Sequence, residues 1–409
     1  GMPRILSLLL AQRGVKEEDV EFFLKPKLRD LQDPYMLPEM DLAVDRLFEA
    51  IDKGQKICVY GDYDVDGITS VARMKKVLNA YGVEVKHFIP RRGPEGYGLS
   101  EVALKRLFEE NEKIDLLVTV DCGTGSVDEV AAMTARGIDV IIVDHHEMSP
   151  AGRPDCVALV NPKSQGEQFE YLCAAGVVFK LAHALMIRRR LDNFDLKGHI
   201  DMVAVATIAD IVPLEDENRL LVRHGLARLP QTQNMGLLAL QEVAGVKEKV
   251  SSLDVGFRIG PRLNAAGRMD VPDDALKMLL SKTLDEAHSM AKVLDTYNLE
   301  RQSLERKIRE EALEMIEQQF DMEKDSVIVL GSRNWHPGVV GIVASRLMRQ
   351  FYKPTFIIAI DESGHGKGSG RSVEGVSLVQ AIHKSEEFLV AGGGHDMAAG
   401  ISVEEDQID

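Results

Sequence analysis

The chain has 409 residues, more than one ordinary core holds, so two or more domains are expected. Its 45% hydrophobic content fits a globular protein rather than a disordered one, and no apolar run reaches the roughly 18 residues of a membrane span. A net charge of -16 argues against broad electrostatic binding of nucleic acid, but leaves room for a focused basic groove or for carboxylates gathered around cations.

Gly1 ahead of Met2 reads as the remnant of a cleaved tag, and the apolar stretch 5–11 as a helix packed into the fold rather than a secretion signal. Residues 41–51 carry Leu42, Val44, Leu47, Phe48 and Ile51 at helical spacing. A run of strand–loop–helix units follows. Strands are expected at 57–60, 83–89, 114–120, 138–143 and 157–160, with helices at 69–81 and 126–136, the second capped by Ser126 and stopped by Gly137. That alternation predicts an α/β fold with βαβ units and a doubly wound, mostly parallel sheet. Helices dominate from 174 to 244. A long charged helix is expected between 284 and 320, with Leu299, Leu304, Ile308, Ala312, Ile316 and Phe320 as its buried stripe. A smaller α/β unit begins at 327, with a helix at 339–350, a strand at 355–360 and glycine-rich loops at 364–370 and 392–400. The expected division is a helical segment 1–52, a catalytic domain 53–283, a connecting helix 284–322 and a second domain 323–409. The four cysteines, Cys58, Cys122, Cys156 and Cys173, form no C-x-x-C pair; this gives no sign of a zinc knuckle and fits a cytoplasmic protein.

Chemistry concentrates at three strand ends: Asp62, Asp64 and Asp66 in G-D-Y-D-V-D-G, then Asp121, then Asp144-His145-His146. Functional groups collect at the carboxyl ends of strands in an open parallel sheet. Mg²⁺ and Mn²⁺ prefer carboxylate oxygens and Mn²⁺ also accepts imidazole, so these residues suit two divalent cations, with Asp121 on a central strand as the bridge. Asp210 ends an apolar helix, a costly place for an acid unless it is paired or metal-bound. A single Asp after a strand is more often a turn former or cap. Three at alternate positions repel one another and would destabilise an empty loop. In the second domain, Gly393 and Gly394 let backbone N–H groups approach an anion and His395 adds a donor. Ser369, Arg371 and Arg268 are candidates to grip a terminal phosphate, and Arg91 to contact a backbone phosphate or simply to be solvated. Trp335 and Tyr97 read either as base-stacking aromatics or as packed side chains. Neither G-x-x-x-x-G-K-[ST] nor G-x-G-x-x-G occurs where a nucleotide loop would need it.

The segments Y-G-D-Y-D-V-D-G, V-D-C-G, D-H-H and the Asp210 region resemble, in order, the four motifs of the DHH phosphoesterase superfamily. G-G-G-H-D-M-A-A-G at 392–400 looks like the signature of the DHH-associated domain, and segments 89–99, 260–269, 335–347 and 368–372 are similar to the RecJ family of single-strand-specific exonucleases. The resemblance runs from about residue 5 to 400. It implies a DHH domain joined by a long helix to a smaller DHH-associated domain. It implies a cytoplasmic, Mn²⁺- or Mg²⁺-dependent nuclease releasing 5′-mononucleotides from single-stranded DNA, 5′→3′, in repair and recombination. By the same resemblance Asp64 binds one cation and Asp66 the other, Asp121 bridges, and His145 and Asp210 complete the second site. Asp62 and His146 sit close by, His146 facing the scissile phosphate, and Asp144 orients the ligands from behind. Arg268, Ser369, Arg371 and His395 form a 5′-phosphate pocket, and a cleft between the domains admits only single strands. Tyr60 stands where pyrophosphatases of the superfamily carry a histidine, so unequal metal sites are expected. Single-strand-binding protein and a helicase are implied partners. The alternatives are a nano-RNase or cyclic-dinucleotide phosphodiesterase, against which the segments between 260 and 372 speak, and a non-catalytic replication scaffold, against which the full Asp/His set speaks. Members of the family continue past the glycine motif into an OB-fold; with the sequence ending at Asp409, that module is expected to be missing or to have been removed.

Overall fold

The computed structural model describes residues 2–111, 113–165, 169–246 and 249–408. Gly1 and Asp409, and the readings that rest on them, lie outside the described residues. Two compact units emerge: Gly1–Gly267 with Val271–Asp295, and Arg268–Asp270 with Thr296–Asp409.

The first unit is built on five strands, β1 (Ile57–Gly61), β2 (Lys86–Phe88), β3 (Leu116–Val120), β4 (Asp139–Val143) and β5 (Ala158–Val160), in the order β2-β1-β3-β4-β5. All four pairings are parallel. The strands are apolar runs because both faces are covered. On one face Cys58, Tyr60, Leu117, Val140 and Ile142 pack with Leu104, Leu107 and Met133. The helices Val65–Ala80 and Ala174–Arg188 meet the sheet at β1 and β4. Strand order reverses between β1 and β3, so the carboxyl ends of β1, β3 and β4 open into the crevice where such sheets bind ligands.

Three expectations need correction in this unit. The helix after β1 begins at Val65 rather than residue 69, because Asp64 caps it and the Asp-rich segment supplies its first turn. Ser126 precedes the helix Val127–Thr134 without making a side-chain cap bond. The N-terminal helix Arg4–Gln12 buries only Leu10 and leaves Ile5, Leu8 and Leu9 exposed, so it lies on the surface of the fold.

The second unit holds β6 (Ile328–Ser332), β7 (Thr355–Ile360), β8 (His365–Arg371), β9 (Ala391–His395) and β10 (Ala398–Glu404), ordered β6-β7-β8-β10-β9. Only β6 and β7 are parallel. Both glycine-rich segments, expected as loops, are therefore strands. The reason lies in their neighbours: a Cβ on Gly370 would stand 2.4 Å from Phe356 Cε1, and one on Gly368 2.7 Å from Ile401 Cγ1. Glycine lets those large side chains lie across β8. On the opposite face Ile357 and Ala359 pack with Val343, Ala344 and Leu347 of the helix Val340–Phe351. The helix Leu284–Gln319 passes through the division between Asp295 and Thr296. Its buried stripe includes Ile308, Ala312 and Ile316, whereas Leu299, expected in that stripe, is exposed. Among the described residues no helix is long and apolar enough to cross a membrane.

Candidate active site

Gly61 ends β1 and the chain turns at once into the helix Val65–Ala80. Asp64 is its N-cap, one carboxylate oxygen accepting the N–H groups of Asp66 and Gly67 at 2.9 and 3.1 Å. Asp66 is thereby carried into the first turn and buried. Its two oxygens accept the N–H groups of Ala174 and Ala175, at 2.7 and 2.8 Å, at the start of the helix Ala174–Arg188. Asp121 follows β3 with a φ of 63°, in the left-handed region that non-glycine residues seldom occupy. Asp144 follows β4; its oxygens accept the N–H of Thr124 at 3.0 Å and of His145 at 2.8 Å, and one of them pairs with His146 Nδ1 at 2.8 Å. Asp210 closes the helix Ile200–Ala209.

These residues, up to 148 positions apart in sequence (62 to 210), converge. His145 Nε2 stands 3.3 Å from Asp121 Oδ1, 3.7 Å from Asp210 Oδ2 and 3.8 Å from Asp66 Oδ2. Three sets offer ligand atoms within 4.8 Å of one another: Asp62, Asp64 and Asp121; Asp66, His145 and Asp210; and Asp121, His145 and His146. Asp62 Oδ1, Asp121 Oδ1, His145 Nε2 and Asp210 Oδ2 are buried and have no hydrogen-bond partner among the described residues. Buried polar atoms are nearly always satisfied, and four orphaned acceptor-type atoms at one point fit a cationic ligand.

The electrostatics agree. Burial, reinforced by neighbouring carboxylates, pushes Asp62, Asp66 and Asp121 well above the ordinary carboxylate range. Burial and Asp64 raise Asp210 to about 6. Without a counter-charge the cluster repels itself. Burial and the adjacent His146 lower His145 to about 4, leaving a neutral imidazole able to act as a ligand. Burial opposes protonation of His146, but the hydrogen bond and charge of Asp144 outweigh it and raise His146 to about 9. The same pairing, working against burial, holds Asp144 below the usual range.

Tyr60 is fully buried, stacks on Phe88 with ring centroids 5.2 Å apart, and donates its hydroxyl to the Gly98 carbonyl at 2.7 Å. It belongs to the core beneath the sheet's end. Tyr97 joins the centre itself, its hydroxyl 3.0 Å from His146 Nε2 and 3.2 Å from the Asp121 carbonyl. Arg91 is exposed, and its backbone N–H donates to Glu95 at 2.7 Å; its neighbour Arg92 instead lies over the Tyr63 ring at 5.1 Å. Trp335 is buried with its indole N–H on Glu311 at 2.8 Å, so it is a packed side chain and not a base-stacking one.

In the second unit, Arg371 Nη1 donates to Ser369 Oγ at 2.9 Å, and Arg268 Nη1 to the Gly338 carbonyl at 3.0 Å. A Cβ on Gly341, in the first turn of the helix Val340–Phe351, would lie 2.9 Å from Ser369 Oγ and 3.3 Å from Arg371 Nη2. Ser369 and Arg371 thus face a helix N-terminus, where partial positive charge favours anions. Across β10, His395 and Arg371 share Ala398 as register partner, and Gly393 and Ser369 share Gly400. Gly394, at φ 139°, would bring a Cβ within 2.6 Å of the Ala398 carbonyl, so the close strand pairing requires glycine there.

Sequence reasoning missed the supports. Asn161, just past β5, donates to Thr124 Oγ1 and to the His146 carbonyl, both at 2.9 Å. Asn264 accepts the Val65 N–H at 3.1 Å. An Asn closing a fifth strand was a weak signal for the first, and nothing in the sequence pointed to the second.

Two family models match: the DHH family, N-terminal domain, over residues 56–207, and the DHHA1 domain over 324–409. The chain is 40% identical to the single-stranded-DNA-specific exonuclease RecJ of Bacillus subtilis over 99% of its own length and 51% of the relative's. It is 37% identical to the Haemophilus influenzae exonuclease of the same name over 93% and 68%. The crystal structure of Thermus thermophilus RecJ in complex with Mn²⁺ superposes with a TM-score of 0.84 at 35% identity, covering 98% of this chain and 56% of that one. The Mg²⁺ complex of that protein gives 0.77 at 33% identity over 98% and 54%. The chain thus spans about half the length of the Bacillus and Thermus proteins.

Proposed function

The chain belongs to the RecJ family of DHH phosphoesterases, and on that premise we propose that it is a metal-dependent exonuclease on single-stranded DNA, acting 5′→3′ and releasing 5′-mononucleotides. The observation that carries this reading is the convergence of orphaned atoms from Asp62, Asp121, Asp210 and His145. Asp62, Asp64 and Asp121 would hold one cation and Asp66, His145 and Asp210 the other, with Asp121 between them. Mn²⁺ or Mg²⁺ bound there supplies charge stabilisation at the phosphate and an activated water; the Mn²⁺ and Mg²⁺ complexes of the Thermus relative support that choice.

The protein's own part is positioning. Helix N–H groups fix Asp66, the cap fixes Asp64, and Asp144 fixes the His146 ring through Nδ1. His146 keeps 37% of its side chain exposed and, protonated, is placed to donate to a phosphate oxygen. In the second unit Ser369, Arg371 and the N-terminus of the helix Val340–Phe351 suit a terminal phosphate. Repair and recombination in the cytoplasm, beside a single-strand-binding protein and a helicase, is the setting this family reading suggests.

The test uses single-stranded, duplex and dinucleotide substrates, each with and without a 5′ phosphate. Mn²⁺-dependent release of 5′-mononucleotides from the single strand is expected, with none from the Asp121→Ala protein. Arg371→Ala should erase any preference for a 5′-phosphorylated strand. Undiminished digestion by the Asp121→Ala protein, or a preference for the dinucleotide, would overturn the reading.

A further inference from the structure

Asp66 and Asp210, which with His145 form one of the ligand sets, are each placed by a short stretch of neighbouring chain. Asp66 is held by the N–H groups of Ala174 and Ala175, which the segment 171–173 delivers to the start of the helix Ala174–Arg188. Asp210 ends the helix Ile200–Ala209 and leads into the segment 211–215, in which Ile211, Pro213, Leu214 and Glu215 are exposed. Ile211 and Asp216 bracket that segment with φ of 62° and 41°. Such left-handed backbone persists only where the surroundings enforce it. Packing enforces little here: Val212 meets Cys173, Ala175 and Ala206 in one small apolar cluster.

Asn218 supplies the missing hold. It is 1% exposed in the first turn of the helix Asp216–Arg228. Its side-chain N–H groups donate to the Pro213 carbonyl at 2.9 Å and to the Tyr171 carbonyl. Pro213 lies three residues past Asp210, and Tyr171 three before Ala174. One amide thus joins the segment leaving one acid to the segment that anchors the other. Two carbonyls demand two donors, which a side-chain amide offers and a carboxylate does not. The helix that carries Asn218 is itself fixed on both sides. Glu217 pairs with Lys180 of the helix Ala174–Arg188 at 2.9 Å, both buried. A Cβ on Gly225 would lie 2.3 Å from Ala204 Cβ in the helix Ile200–Ala209.

We propose that Asn218 is a positioning residue that ties these two segments together and so holds Asp66 and Asp210 at the spacing one of the cations requires. The inference rests on the metal-dependent reading above and adds what keeps that site assembled. Asn218 acts through the two carbonyls rather than on the cation.

The test uses Asn218→Ala, the isosteric Asn218→Asp, and Asn234→Ala as a control. Asn234 is another buried amide, accepting the Leu237 N–H and donating to the Leu279 carbonyl, both at 2.9 Å, so its loss also lowers the melting temperature. Isothermal titration calorimetry with Mn²⁺ should show two cations in the parent. One of them should bind about 10–100-fold more weakly in both Asn218 variants, and neither should weaken in Asn234→Ala. Hydrogen exchange of the metal-free protein should quicken by about fivefold or more at the Ala174 and Ala175 amides, in the Asn218 variants alone. Unaltered Mn²⁺ affinity, equal weakening of both cations, unaltered exchange, or the same losses in Asn234→Ala overturn the role. If Asn218→Ala does not fold, Asn218→Ser, which keeps one donor, is judged by the same two measurements. If the parent binds no Mn²⁺, the metal-dependent reading fails. Exchange then decides the tie alone: it stands if only the Asn218 variants quicken, and falls otherwise.

Discussion

His145 Nε2 and Asp121 Oδ1 stand 3.3 Å apart, both buried, and neither is hydrogen-bonded to any described residue. Two such atoms at that distance call for a shared third partner, and the surrounding carboxylates specify a cation. Adding Mn²⁺ to chelator-treated protein should raise its melting temperature. At a hundredfold excess over Kd the linked stabilisation is about 2.7 kcal/mol. Asp121→Ala should abolish most of the rise; calorimetry showing the same Mn²⁺ shift in both proteins would remove Asp121 from the site.

Asp144 contacts no candidate cation position but clamps His146 and accepts the N–H groups of Thr124 and His145. Asp144→Asn should lower activity by about 10–100-fold, the range seen when such outer supports are lost. It should also bring His146 down from about 9 toward its ordinary value of 6.5. An NMR titration that leaves His146 where it was would show that Asp144 does not govern its proton.

Metal-free protein should become less stable as pH rises toward neutrality. Asp62, Asp66, Asp121 and Asp210 are raised in the folded state by burial and by neighbouring carboxylates, Asp64 among them, Asp210 to about 6 from 3.8. The folded state therefore binds more protons than the unfolded chain. The favourable contribution is complete below the unfolded value and is lost as pH climbs through the folded ones. Melting curves in chelator should fall across that window, and Mn²⁺ should flatten the fall. A metal-free protein that gained stability between pH 4 and 7 would contradict the clustering of these carboxylates.

Gly370→Ala should destabilise the second unit, because its Cβ would lie 2.4 Å from the Phe356 ring. Overpacking of this kind costs about 1–3 kcal/mol. Pairing it with Phe356→Leu should recover part of the loss, and thermal melts of the two variants check it. Gly393→Ala, with no neighbour within 4 Å of the added Cβ, is the matched control and should melt like the parent.

Much of the fold was legible because buried parallel strands are continuous apolar runs; the strand expected at 355–360 is found at Thr355–Ile360. Glycine-rich β8 and β9 were not legible, since glycine disfavours strands and the compensating bulk sits on Phe356, Ile401 and Ile382. The early start of the helix Val65–Ala80 was hidden because its first turn contains Asp66 and Gly67, and only the Asp64 cap bonds reveal it. Trp335 read two ways until its burial against Glu311 decided between them.

For the site, residue types and their places at strand ends determined the chemistry: carboxylates and imidazoles after β1, β3 and β4 suit hard divalent cations whatever surrounds them. Tertiary structure alone decided the grouping. Asp66 meets His145 and Asp210 because a parallel sheet brings strand ends together and two helices deliver the flanking acids. The supports from Asn161, Thr124 and Asn264 likewise depend on neighbours distant in sequence. No local pattern encodes them, because the packing that gives them a role exists only once the chain has folded.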